Sequence, residues 1–215
     1  MACAHTHEPQ FDGMSADYKR RLIAVMIINF AGFALEMTAG ALSGSQALKA
    51  DALDFFADGV TYLISFLVIG QALWLRASAA LAKGISLLLM GLWVAGSTLY
   101  QLFFLGMPQP EVMGVVGFIA LLANVASVLL LVRYAEGDAN VRSVWLCSRN
   151  DAIGNVAVMG AAGLVFVFNS GWPDLVVAGI MAGLFLHSAS RVITQALGEL
   201  RQGEPAGHGH PHHHH

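Results

Sequence analysis

Six stretches of this chain, near 22–43, 46–74, 79–105, 112–133, 143–168 and 173–196, are each long and apolar enough to cross a lipid bilayer. A spanning helix needs about 20 predominantly apolar residues, because the hydrocarbon core offers the backbone no hydrogen-bonding partner outside the helix itself. Composition agrees: 56% of the 215 residues are hydrophobic and 12% charged, where a soluble domain carries about 25% charged residues. The expected fold is all-α, a polytopic membrane protein built as a six-transmembrane-helix bundle. Short connections with Gly or Pro separate the runs, at Ser43-Gly44-Ser45, Met107-Pro108-Gln109-Pro110 and Asn169-Ser170-Gly171-Trp172-Pro173. A polar loop from Tyr134 to Asn140 joins the fourth run to the fifth.

Basic residues orient the bundle. Lys19, Arg20 and Arg21 precede the first run, Arg76 lies between the second and third, Arg133 and Arg142 flank the polar loop, and Arg191 and Arg201 lie at the end of the last. The loops after runs one, three and five hold no Lys or Arg, so both termini are expected in the cytoplasm. Lys49 and Lys83 are read as snorkelling from span ends to the interface. The division expected is a cytoplasmic segment 1–21, a six-helix membrane domain 22–196 and a His-rich cytoplasmic tail 197–215. The polar N-terminus has no apolar core followed by a cleavage site, so no cleaved signal peptide is expected. Cys3 and Cys147 are too few for a disulfide framework.

Within the second run, Ala50 to Asp58 contains Asp51, Asp54 and Asp58. An Asp at the centre of a spanning helix costs about 2.5–3.5 kcal/mol on insertion scales, so three of them need a compensating role. Asp54 and Asp58 are one helical turn apart on one face, an arrangement that suits a divalent cation held between their oxygens. The fifth run repeats the device: Cys147, Asp151 and Asn155 recur at four-residue steps. The pairs Asp54/Asp58 and Cys147/Asp151 together supply four donors, the number a tetrahedral zinc-like centre takes. Because the two helices run in opposite directions, Asp54 is expected level with Asp151, and Asp58 with Cys147. Asp51 is given a supporting or access role, or one in helix packing. Glu36 and Asn155 join it as candidate supports. Asn29, Asn124 and Asn155 are read as interhelical hydrogen-bonders, His187 as a satisfied or interfacial residue, and Arg149 as an outward-facing cation. His5, His7, His208, His210 and His212 form loose auxiliary metal-binding tracts at the two ends, the terminal histidines having an expression tag as their plain alternative.

These features resemble the cation diffusion facilitator family of divalent-metal transporters. The likeness runs from Asn29-Phe30 through Glu36, Gly40, Ser43-Gly44-Ser45 and Ala47-Leu48 to the acidic run 51–58, and resumes at Asn124, Asn140-Val141-Arg142, Cys147/Asp151 and Trp172-Pro173-Asp174. It implies a six-helix transporter that exchanges a cytoplasmic divalent cation, usually zinc, for protons. It also implies a transport site of two pairs, His/Asp-x-x-x-Asp on the second span and His-x-x-x-Asp on the fifth. Asp54, Asp58 and Asp151 fit their positions, whereas Cys147 stands where His is usual. A short form without the folded cytoplasmic domain common after the sixth span is expected, with a homodimer open.

The expected function is efflux of a divalent transition metal, zinc first and cadmium or cobalt next, by proton-coupled alternating access in a bacterial inner membrane. The alternative is a membrane-embedded metal sensor or metal-binding protein that moves nothing. A membrane zinc hydrolase is disfavoured, since the ligand set is closed and no His-Glu-x-x-His pattern occurs. The partners expected are divalent cations, protons and the bilayer; neither a prosthetic group nor a nucleic acid is expected.

Overall fold

A computed structural model of the chain describes residues 15–67, 73–104, 106–135 and 139–202. Nearly all of them lie in six α-helices: α1 Ala16–Ser43, α2 Gln46–Leu67, α3 Leu73–Phe104, α4 Pro110–Leu131, α5 Ala139–Phe168 and α6 Trp172–Gln202. A single 3-10 turn, Val132–Tyr134, follows α4, and no strand occurs among the described residues. Five helices, α1 and α3 to α6, are long and apolar enough to cross a membrane, and the chain is a multi-pass integral membrane protein. The sixth, α2, has 22 residues and is about 33 Å long. It is set apart from those five by Lys49 and the three Asp side chains. It can carry them because it is an interior helix, packed against α1, α3, α5 and α6.

The helices outrun the apolar runs at the end where the basic residues gather. α1 begins at Ala16, where the Ser15 hydroxyl accepts from the Tyr18 N–H at 3.2 Å as its cap. α3 begins at Leu73, α5 at Ala139, and α6 continues to Gln202. A helix satisfies its own backbone in water as well as in lipid, and nothing in these flanks breaks it, so the apolar boundary and the helix boundary differ. The segments expected as separate ends, 1–21 and 197–215, therefore lend 16–21 and 197–202 to α1 and α6. The expected loop 134–140 shrinks likewise, since Ala139 and Asn140 already belong to α5.

Three helix pairs make the bundle: α1 with α2, α4 with α5 and α3 with α6, and α1 also joins α4. The α3–α6 pair approaches closely at Gly91, where a Cβ would stand 2.9 Å from the Leu186 side chain. Small residues at crossings let backbones approach in lipid, where helices gain little from hydrophobicity alone.

Each end of the bundle is tied. At the basic end, Arg21 donates to the Leu130 carbonyl at 3.0 Å, stands over the Tyr134 ring and pairs with Asp17, while Tyr18, Leu22, Val25, Tyr62 and Leu131 form a buried cluster. At the opposite end α1 stops at Gly44, whose positive φ of 75° forms the left-handed cap. The buried Asp174 carboxylate, on the first turn of α6, then accepts from Ser45 Oγ at 2.6 Å, Gln46 N–H at 2.8 Å and Ala47 N–H at 3.0 Å. These are the orphan donors of the α2 N-terminus, so one helix supplies the cap of another. Gln101 adds α3 to this knot, accepting from Gln46 and donating to the Gly44 carbonyl, both at 2.7 Å.

Candidate functional site

α2 and α5 run antiparallel through the middle of the bundle, and the polar faces of the two meet. Asp54 and Asp58 on α2 and Cys147 and Asp151 on α5 border one common space. One turn toward the tied Asp174 end, Asn155 donates to the Asp51 carboxylate. One rung is hydrogen-bonded, Asp51 with Asn155; at the two lower rungs Asp54 and Asp58 stand opposite Asp151 and Cys147 around one space.

The two lower rungs open into a cavity of about 390 Å³. Asp54, Asp58, Cys147 and Asp151 all line it, with Asn150 beside them. The opposite wall comes from α3 and α6, through Lys83, Leu87, Met181, Phe185 and Ser188 among others. Every lining residue of α5 lies in its first half and those of α6 reach Val192, which sets the cavity toward the end of the bundle where the basic residues gather. The four donors surround this space without collapsing onto one point: among the described residues no three His, Cys, Asp or Glu are drawn together as a closed metal cage. Oxygen and sulfur donors on one side of an open, otherwise largely apolar cavity can accept a cation that arrives and leaves.

Asp51 does not line the cavity. It is buried, bonded to Asn155 and faced by the carboxyl of Glu36 on α1. Neither Glu36 oxygen has a hydrogen bond of ordinary geometry, although the residue has no exposed surface. Asn124 on α4 donates to Asn155 at 2.9 Å, so Asn124 and Asn155 do link helices. Asn29 does not, because its amide bonds the Val25 carbonyl one turn back in its own helix at 2.8 Å.

Two residues around the cavity carry more than sequence reasoning assigns them. Tyr62, buried one turn after Asp58, donates its hydroxyl to that carboxylate; its signal is the four-residue step, easily passed over because an aromatic at that spacing reads as core. Lys83, expected to snorkel to the interface, lines the donor cavity instead. Its signal is being the last charge on α3 before an uncharged run to Phe104. Arg149 is exposed and lies over the Trp145 ring, 5.4 Å from its centroid, on the outer side of α5. His187 is exposed on α6 and does not line the cavity. His5, His7, His208, His210 and His212 lie outside the described residues, as does Cys3.

Comparison with known proteins gives the geometry a context. The model of the cation efflux transmembrane domain matches residues 75–200, more than half of the chain. The chain is 28% identical over 219 aligned residues to the zinc transporter ZitB of Pectobacterium atrosepticum, with 94% of this chain and 66% of the relative covered. It is 29% identical over 221 residues to ZitB of Escherichia coli, covering 94% of this chain and 69% of that one. The cadmium, cobalt and zinc/H(+)-K(+) antiporter of Bacillus subtilis is 24% identical over 203 residues, covering 86% and 65%. The chain thus spans about two thirds of the length of the curated relatives it matches.

Proposed function

We propose, from the premise that this chain belongs to the cation efflux family, that it moves divalent transition-metal cations out across a bacterial plasma membrane in exchange for protons. The observation that carries this reading is the meeting of Asp54, Asp58, Cys147 and Asp151, from two helices, around one cavity. We assign these four side chains as the transport site. Zinc is the first candidate cargo, which the names of the ZitB relatives support; cadmium and cobalt come next, as in the name of the Bacillus antiporter.

The donor chemistry gives the exchange its physical basis. Three carboxylates and a thiol crowded into a water-poor space cannot all stay ionised without a cation. A divalent ion and protons therefore compete for the same lone pairs: metal binding expels protons, and protonation expels metal. If the cavity opens alternately to the two faces, that competition couples one flux to the other. Sulfur at Cys147 makes the set softer than an all-oxygen one, which favours zinc and cadmium over magnesium or manganese.

The deciding experiment is a metal panel in proteoliposomes under an imposed pH gradient, with wild type beside Asp54→Ala. The expected result is zinc uptake driven by the gradient in wild type and lost in the variant. If no divalent ion moves, or if Asp54→Ala moves it equally well, the reading fails. Cys147→Ala tests the soft ligand separately, since it is expected to weaken cadmium transport more than zinc transport.

A further inference from the structure

Lys83 sits ten residues into α3, a helix whose remaining described course to Phe104 carries no other charge. A lysine near a span end usually sends its ammonium out to the headgroups along the lipid face. Here the side chain instead borders the cavity of the four donors, half-buried, with Leu87 one turn further on the same wall. It shares that cavity with Asp54, Asp58, Cys147 and Asp151. Among the described residues it closes no direct ion pair with any one of them. A cation that faces several anions across a cavity, bound to none, contributes to the site as a fixed charge rather than as a partner.

We propose that Lys83 is a specificity-determining residue of the transport site, a fixed counter-charge that lowers the residual negative charge of the loaded cavity and keeps a divalent ion releasable. Three carboxylates, Asp54, Asp58 and Asp151, present three negative charges at full ionisation; the ammonium offsets one, and a single divalent ion offsets the other two. With Cys147 bound as the thiolate, a fourth negative charge is added and the loaded cavity keeps one, the smallest residue this donor set reaches with a single divalent ion and one fixed cation. Without Lys83 the loaded cavity keeps two unpaired negative charges, and the metal is held more tightly than a carrier needs. A transporter must bind its ion strongly enough to load and weakly enough to unload, a balance also met in conducting pores. This inference rests on the assignment of the four donors as the transport site.

The test is a zinc titration of the purified full chain in detergent, in competition with a chromophoric chelator, paired with zinc flux in proteoliposomes. Wild type is compared with Lys83→Met, Lys83→Gln, Lys83→Arg and Asp54→Ala. Removing a unit charge within a few ångströms of a divalent ion at the dielectric of a partly wet site is expected to tighten zinc binding about tenfold or more in Lys83→Met and Lys83→Gln. In the same two variants KM and kcat are expected to fall together, because unloading slows. Lys83→Arg keeps the charge and should stay within about threefold of wild type. A misfolded variant would lose binding and flux together, the opposite pattern for binding, and Lys83→Gln carries the test should Lys83→Met fail to fold. Unchanged or weaker zinc binding in the folded neutral variants, with binding lost in Asp54→Ala, overturns the role of Lys83 and leaves the site assignment standing. Tightening in Lys83→Arg equal to that in Lys83→Met overturns it too, since shape and not charge would be the cause. Wild-type binding in Asp54→Ala overturns the site assignment itself.

Discussion

The knot at Asp174 allows a prediction whose size can be worked from the structure. Asp174 has no exposed surface, and its carboxylate accepts three hydrogen bonds, from Ser45 Oγ, Gln46 N–H and Ala47 N–H. A bond to a charged group contributes about 1.5–3 kcal/mol, and a buried donor left without its acceptor costs about 1–3 kcal/mol. Asp174→Ala strands two backbone N–H groups at the start of α2 and frees the Ser45 hydroxyl, which still accepts from Leu48 N–H at 3.0 Å. Allowing for partial rescue by water, the loss should be about 3–5 kcal/mol, more than an ordinary helix cap at about 0.5–2 kcal/mol. For a chain of this size that corresponds to a fall in Tm of about 6–20 °C. Asp174→Asn keeps one acceptor oxygen and turns an amide group toward donors, so it should fall by about half as much. The assay is thermal unfolding of the purified protein in detergent, followed by reaction of the Cys147 thiol with a maleimide dye in a Cys3→Ser background. Because α2 carries Asp54 and Asp58, metal transport should also fall in Asp174→Ala at temperatures where the protein is still folded. A Tm change below about 2 °C in Asp174→Ala would refute the argument that this carboxylate caps α2 from another helix.

Three further outcomes follow from contacts inside the bundle. Tyr62→Phe deletes the hydroxyl that orients Asp58 while leaving the ring in its cluster, and should weaken zinc binding about tenfold with little change in Tm; chelator competition and a melting curve on one preparation check both halves. Asn155→Ala removes the donor to Asp51 and the link to Asn124, with an expected loss of about 2–3 kcal/mol, read as lowered Tm; Asn155→Gln should not restore it, because the longer amide cannot reach both partners from the same turn. Gly91→Leu forces a side chain into the Leu186 contact at the α3–α6 crossing and should destabilise by about 1–3 kcal/mol. The matching double variant Gly91→Leu with Leu186→Ala should recover part of that, and a cycle with no coupling would show that the crossing is looser than the distances indicate.

How much of the molecule is legible in the sequence depends on which force wrote it. The six helices are, because the bilayer requires apolar runs of a set length and no irregular backbone between. Their ends at the basic side are not, since the helices continue where the apolar pattern stops: Ala16 to Arg21 and residues 197–202 are helical without being membrane-like. The shared face of Asp54, Asp58, Cys147 and Asp151 can be read from four-residue spacing on two antiparallel helices. The third and sixth helices cannot be placed against that face by spacing alone. Lys83 escapes a sequence reading for this reason: a lysine near a span end looks the same whether it points to lipid or to a cavity between helices. Asn29 escapes it for the converse reason, since an amide on a spanning helix can satisfy its donor at its own Val25 carbonyl.

The acidic run on α2 looks like three equivalent carboxylates, yet α5 treats them differently, and the difference lies in what stands opposite. Against Asp51 it places an amide. The Asn155 N–H occupies a lone pair of Asp51 permanently, and Asn124 in turn pins Asn155, so that rung is satisfied without any cation except at the facing Glu36. Against Asp54 and Asp58 it places Asp151 and Cys147, acceptor groups that offer no fixed donor once deprotonated. The Tyr62 hydroxyl on Asp58 and the fixed charge of Lys83 satisfy those rungs only in part, and protons or a metal ion complete them. The cavity reaches these two rungs and stops short of the first. Position along α2 therefore decides which acids are exchangeable, and the residue that decides it is on another helix. The double variant Asp151→Asn with Asn155→Asp would keep the same composition and the same four-residue spacing. It would nevertheless move the exchangeable pair up to Asp51 and the new carboxyl opposite it, one turn further from the cavity and closer to the Asp174 knot.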